Sequence, residues 1–145
     1  IPYVLMHMQG TPKDMQRAPR YTDVVGDQIR WFSEKLEKLY ALGLNDVVID
    51  PGFGFGKSLQ HNYEILAHLD AYRIFDCPVL VGVSRKSMIC KVLGVSPSDA
   101  LNGTTVLHGL ALLHQPQILR VHDVKQAREA IRITEHYLNA HHGAS

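Results

Sequence analysis

Four short runs of mostly apolar residues, at 3–8, 46–49, 79–83 and 118–121, punctuate the chain, and each is followed by a stretch with apolar positions at helical spacing. None of the runs alternates polar with apolar, which is how strands covered on both faces read. After the first run, Val25, Ile29, Phe32, Leu36, Leu39 and Tyr40 share one helical face, and Gly43 stands where a left-handed C-terminal cap belongs. The second helix is expected to use Ile65, Leu66, Leu69 and Tyr72, and the last one Ala127, Ile131, Thr134 and Leu138. The third unit splits into a short helix at 86–93, a turn at 94–99 and a helix at 103–114 with Asn102 as its cap. Strand followed by helix, repeated without a hairpin signal, predicts an α/β fold with a parallel sheet and right-handed crossovers. One unit takes about 35 to 40 residues, so eight would fill a (β/α)₈ barrel of roughly 250 residues or more and four make half of one. An open sheet of flavodoxin type is the structural rival.

Composition narrows this picture only a little. With 46% hydrophobic residues in 145, the chain has the make-up of an ordinary globular domain. Fifteen basic residues against fourteen acidic ones leave +1, so no global field recruits nucleic acid or an anionic membrane, and any anion site must be local. No apolar run approaches the roughly 20 residues that cross a bilayer, and the N-terminal residues lack a signal-peptide pattern, so a cytoplasmic location is expected. Cys77 and Cys90 form no C-x-x-C pair and are expected to be buried and reduced. The chain enters a strand-like run directly from Ile1 without an initiator Met, as a piece of a longer polypeptide is expected to do.

Polar residues gather after the strands, where both barrels and open parallel sheets place their sites. The first run leads to Met6, His7, Met8, Gln9, Gly10, Thr11 and Pro12, and the second to Asp50-Pro51-Gly52-Phe53-Gly54-Phe55-Gly56-Lys57. The third ends in Ser84, Arg85, Lys86 and Ser87, and the fourth in Arg120, Val121, His122 and Asp123. Gly56-Lys57-Ser58 looks like the end of a phosphate-cradling loop, but Pro51 occupies the position where that motif needs its first glycine, and G-x-G-x-G is not the dinucleotide spacing. Three glycines instead permit tight turns that present Phe53 or Phe55 to a planar ligand, or merely let an aromatic anchor the loop. Asp50, held at a strand end by Pro51, needs partners: the paired N–H edge of a heterocycle, a neighbouring loop, or Lys86. Arg120 and His122 alternate along one strand and so share a face beside Lys86; together they can hold a diphosphate, or they can pair with Asp123 and Glu129. His61, His68, His108, His114 and His136 are scattered, and His141-His142 falls in an expected frayed tail. No H-E-x-x-H or C-x₂-C spacing points to a protein-built metal site, and Ser84 and Ser87 lack a nucleophile-elbow context.

Four stretches, LMHMQGTPKDMQ from Leu5, DPGFGFGK from Asp50, LVGVSRKSMI from Leu80 and RVHDV from Arg120, together resemble the dihydropteroate synthase family, in family order and across essentially the whole chain. The resemblance implies the C-terminal half, strands five to eight with their helices, of a TIM (β/α)₈ barrel, so that 1–145 is part of a pterin-binding domain. It implies a transferase of folate biosynthesis that joins 6-hydroxymethyl-7,8-dihydropterin diphosphate to p-aminobenzoate and releases diphosphate, and that is a sulfonamide target. On that reading Asp50 and Lys86 bind the pterin edge and ring, and Met6 and Gly82 line its faces. Phe55, Lys86 and Ser87 frame the aminobenzoate, and Arg120, Val121 and His122 hold the diphosphate; Asp50, Lys86, Arg120 and His122 carry the catalysis. Magnesium is implied with its protein ligand in the other half, as is a homodimer through helices late in the barrel. Because a half barrel exposes two unpaired edges, activity is not expected from this chain by itself. Two other readings accompany this one: the pterin-binding domain of a corrinoid-dependent methyltransferase, which needs no diphosphate site, and a noncatalytic half barrel that self-associates.

Overall fold

The computed structural model describes residues 1–9 and 23–143. The expected contribution of Gly10, Thr11 and Pro12 to the rim lies outside them. Four strands alternate with helices: β1 (Tyr3–Met6), α1 (Val24–Ala41), β2 (Val47–Asp50), α2 (Leu59–Ala67), β3 (Leu80–Val81), α3 (Ser87–Leu93), α4 (Leu101–Leu112), β4 (Ile118–Leu119) and α5 (Val124–His141). Short 3₁₀ turns at Leu69–Phe75 and Pro97–Asp99 follow α2 and α3.

The order of the strands in space decides between the two architectures. β1 pairs in parallel with β2, Tyr3 facing Val47 and Met6 facing Asp50. A parallel bridge joins Ile49 to Val79, with the Ile49 N–H donating to the Pro78 carbonyl at 2.9 Å. β3 then pairs in parallel with β4. Spatial order therefore equals chain order, the single winding of a barrel wall, whereas the flavodoxin-type sheet reverses at a switch point. The outermost strands show their open side: Tyr3 and Val4 on β1 and Ile118 on β4 are exposed.

The core lies between this wall and its helices. Val24, Phe32 and Leu36 of α1, Ile65 and Leu66 of α2 and Leu107 and Ala111 of α4 pack with Val47, Ile49, Val79, Val81 and Val83. The α1 face follows the expected spacing, with Asp23 capping it by accepting from the Gly26 N–H at 3.0 Å and Gly43 past its end at φ +82°. Tyr40, at its far end, is exposed.

Three expectations are corrected. The second helix stops at Ala67, and Leu69 and Tyr72 belong to the following 3₁₀ turn, where both are still buried. α4 begins at Leu101 with Ala100 as its N-cap, so Asn102 lies inside the helix; the Pro97–Asp99 turn feeds directly into it, and the Ala100 carbonyl accepts from both the N–H (2.9 Å) and the hydroxyl (2.7 Å) of Thr104. His141 is not frayed: α5 extends through it, and its ring stacks on Tyr137 at 6.0 Å. Cys77 and Cys90 are free thiols, but the expectation that both are buried is corrected as well, since each is only partly buried.

Candidate active site

Asp50 closes β2 fully buried, and its two carboxylate oxygens have different partners. Oδ1 accepts from the Gly52 N–H at 2.8 Å and Oδ2 from Arg120 Nη1 at 3.0 Å. The cation facing Asp50 is thus Arg120, not Lys86, and it comes from β4, two strands away. Arg120 keeps about half its side chain in solvent, so the pair is sealed on the carboxylate side only. Its guanidinium lies over Gly82, where a Cβ would stand 2.5 Å from Nη2 and 3.0 Å from Cζ and Nε. Because that end of the arginine can swing, Gly82→Ala is expected to change stability by less than about 1 kcal/mol while lifting Arg120 off Asp50. A crystal structure of the variant with the 3.0 Å contact intact would contradict this.

The glycine-rich loop turns as its spacing requires: Gly52, Gly54 and Gly56 all have positive φ, and a Cβ at Gly52 would sit 2.1 Å from the His7 carbonyl oxygen. Phe53 is the anchoring ring, fully buried, while Phe55 is partly exposed with Lys86 Nζ 5.0 Å from its ring centre. Lys86 also donates to the Phe53 carbonyl at 2.7 Å. Burial lowers its pKa to about 8, with Arg120 acting in the same sense and Asp50 against it.

Lys57, which sequence reasoning set aside with the failed phosphate-loop match, is a buried ammonium enclosed by its own loop. Its Nζ donates to the carbonyls of Gly52 (2.7 Å), Phe55 (2.8 Å) and His7 (3.4 Å). Burial lowers its pKa to about 7; Asp50 opposes the shift and Lys86 adds to it. Lys57→Met removes the donor shared by three carbonyls and is expected to cost about 1–3 kcal/mol. Chemical denaturation measures it, and an unchanged midpoint would mean that the side chain only fills space.

Gln28, also unforeseen, joins His7 of the rim in supporting the loop. Gln28 Nε2 donates to the Pro51 carbonyl at 2.8 Å and meets His7 Nδ1 at 3.0 Å, while its Oε1 accepts from the Tyr72 hydroxyl. A glutamine in the middle of an apolar helical face was the available signal.

At the other side of the mouth, Ser84 Oγ lies 2.7 Å from His122 Nδ1 and accepts from the His122 N–H at 3.3 Å. Arg85 turns away from the mouth. Its Nε and Nη2 bind Asp123 at 2.9 and 3.0 Å, so Asp123, a possible partner of Arg120 by sequence, belongs to Arg85.

These residues form two adjoining hollows. One, of about 210 Å³, is lined by Phe53, Gly54, Phe55, Lys86 and Ser87; the other, of about 150 Å³, by Gly82, Ser84, Lys86, Arg120, Val121 and His122. Lys86 belongs to both. Met6 is partly buried at the end of β1 and, in register, faces Asp50. The strand ends thus bring the expected residues to one rim. A larger cavity of about 490 Å³, bounded by Arg73, Cys77, His114 and Gln117, opens elsewhere and contains none of them. Among the described residues no three His, Cys, Asp or Glu side chains are grouped to hold a metal ion. Nor is any helix among them long and apolar enough to cross a membrane.

Comparison with known proteins gives a consistent result. The family described as pterin binding enzyme matches residues 1–122. The dihydropteroate synthase of Escherichia coli K12 is 46% identical over 142 residues, covering 97% of this chain and 50% of that protein. The structure of the Yersinia pestis dihydropteroate synthase with a sulfonamide drug superimposes with a TM-score of 0.94 at 46% identity, over 97% of this chain and 52% of that one. That of the Thermus thermophilus enzyme in complex with 4-aminobenzoate gives 0.88 at 39% identity, over 93% and 56%. The chain spans about half the length of the relatives it matches. It has the fold of half of their TIM barrel.

Proposed function

Because the chain belongs to the pterin-binding enzyme family, we propose that it carries one half of a dihydropteroate synthase site, at which 6-hydroxymethyl-7,8-dihydropterin diphosphate reacts with p-aminobenzoate. The observation that carries this reading is Lys86, shared between a hollow with an aromatic wall and one lined by Arg120 and His122. The first suits a flat amine and the second an anion.

Asp50 has lone pairs left after Gly52 and Arg120, and it accepts the paired N–H groups of the pterin edge. Lys86 donates to acceptors on the pterin ring, with Met6 and Gly82 against its faces. The diphosphate lies against Arg120, His122 and the Val121 backbone, so Arg120, half in solvent, exchanges part of its contact with Asp50 for the incoming anion. The bond from the pterin methylene carbon to the diphosphate oxygen breaks, and its electrons leave with the diphosphate. The aminobenzoate nitrogen then bonds to that carbon and gives up a proton. An arylamine is neutral at pH 7, so positioning beside Phe55 and Ser87 and stabilisation of the departing anion supply most of the acceleration.

Several parts of the reading reach beyond this half. The reaction is proposed for the completed barrel, and the chain by itself is expected to lack turnover. Magnesium is assigned to a protein ligand in the other half. A cytoplasmic homodimer is proposed through the late helices, supported by the exposed Val106, Leu110 and Leu113 on and just after α4 and Ile133 and Tyr137 on α5. Ile133→Glu is expected to raise the dimer dissociation constant at least tenfold in sedimentation equilibrium, and an unchanged constant removes α5 from the interface. A sulfonamide, which the Yersinia pestis enzyme binds, takes the aminobenzoate place in this reading.

The test uses the chain in its full reading frame. Calorimetric titration with the dihydropterin diphosphate and with methyltetrahydrofolate, followed by a diphosphate-release assay with p-aminobenzoate, should show preference for the diphosphate and aminobenzoate-dependent release. Tight binding of methyltetrahydrofolate without release would instead support the methyltransferase domain.

A further inference from the structure

Arg85 has φ +53°, a left-handed backbone that is disfavoured for a non-glycine residue. Such a conformation persists only where the surroundings over-determine it, and here they do. The Arg85 N–H donates to Thr104 Oγ1 at 3.0 Å, Nη1 to the carbonyls of Pro97 (2.6 Å) and Ser98 (3.0 Å), and Nε and Nη2 to the Asp123 carboxylate. Three separate pieces of chain hold this one residue: α4 takes its backbone N–H, and the 3₁₀ turn and the β4–α5 connection take its side chain.

The neighbours in sequence show what this achieves. Ser84 and Lys86, on either side, both line the anion hollow, while Arg85 and Asp123 do not. His122, next to Asp123, is bonded to Ser84. The two strand ends are therefore joined by adjacent rungs, Ser84 to His122 facing the mouth and Arg85 to Asp123 behind it.

We propose that Arg85 and Asp123 form a positioning clamp, which binds no substrate and which fixes Lys86 and His122 in the places from which they act on the departing anion. The proposal rests on the function assigned above. Paired bidentately, and with Nη1 on two carbonyls, the Arg85 guanidinium has four of its five N–H groups committed and only one left for an anion. The pair persists across ordinary pH, because the bond from Arg85 holds the Asp123 carboxyl below the usual carboxylate range. A lysine keeps the charge but not the fork, so it is a poor substitute.

The experiment measures Arg85→Lys, Asp123→Asn and the double variant in the full reading frame, by steady-state kinetics, thermal unfolding and the ¹⁵N resonances of the His122 ring. Each single change is expected to lower kcat at least tenfold and to leave KM for aminobenzoate within about threefold. The double variant should be no worse than the poorer single one, and the His122 Nδ1 resonance should move, with Tm falling by less than about 4 °C. Recovery of kcat in Arg85→Asp combined with Asp123→Arg would support the clamp further. Normal kcat, or additive losses with an unmoved His122 resonance, overturns it. A wild-type protein that never condenses the two substrates sinks the function assigned above, and the His122 resonance in the variants then decides the clamp separately.

Discussion

Arg120→Ala in the complete enzyme should lower kcat/KM by at least tenfold, and a loss of about 10²-fold to 10³-fold is what removal of one charge-assisted donor to a developing anion commonly costs. Two consequences of the change can be told apart. The anion loses a donor in the transition state, which lowers kcat. Asp50, fully buried, is left with only the Gly52 N–H from its present pair of donors, which alters pterin binding and appears in KM. Arg120→Lys should recover part of the first effect, since a point charge still faces the anion, and less of the second. Measured kcat/KM within threefold of the parent would rule out the diphosphate role.

Acid should destabilise the fold through His7. Its Nδ1 faces the Gln28 amide nitrogen, which the Pro51 carbonyl and the Tyr72 hydroxyl orient as a donor, so a proton on Nδ1 would oppose another N–H. Burial, and then the charge of Lys57, lower its pKa from 6.5 to about 3. The unfolded chain takes up the proton near pH 6.5 and the folded chain does not. The stability contributed by the neutral ring is thus complete above pH 6.5 and drains away as pH falls towards 3. The slope reaches up to about 1.4 kcal/mol per pH unit, so several kcal/mol are at stake across the window. His7→Asn, whose side-chain oxygen can still accept from Gln28, should flatten that slope in urea titrations between pH 4 and about 6.5. An equal slope in parent and variant would assign acid sensitivity to other groups.

Much of the site was readable because parallel strands deliver their C-terminal ends to one place, so Asp50, Lys86 and Arg120 could be put on a common rim from chain position only. What position cannot give is reach. Asp50 meets Arg120 across the mouth, although Lys86 is nearer in strand order, because Gly82 leaves room for the guanidinium to lie flat on the strand between them. Arg85 was grouped with the rim cations since charge is visible in a sequence and a positive φ at an arginine is not. Lys57 carries no signal once the phosphate-loop motif fails at Pro51, and its burial depends on three loop carbonyls whose direction no spacing rule encodes. In the fold, runs without alternation gave the strands, but β1, β3 and β4 are shorter than their apolar runs, since pairing there ends before apolarity does, and β2 is shifted by one residue to end on Asp50. Which half of the barrel these strands form was legible only through the resemblance carried by the four motifs.

The enclosed Lys57 amine has an experimental use of its own. Burial lowers its pKa to about 7, so once exposed it is easier to acylate than an ordinary lysine, but the walls of its loop and the three carbonyls that hold it keep electrophiles away. A timed pulse of acetic anhydride, read by peptide mass spectrometry, should therefore modify Lys86 early and Lys57 only as often as residues 52–57 spring open, so that one unreacted amine keeps time for the breathing of the loop.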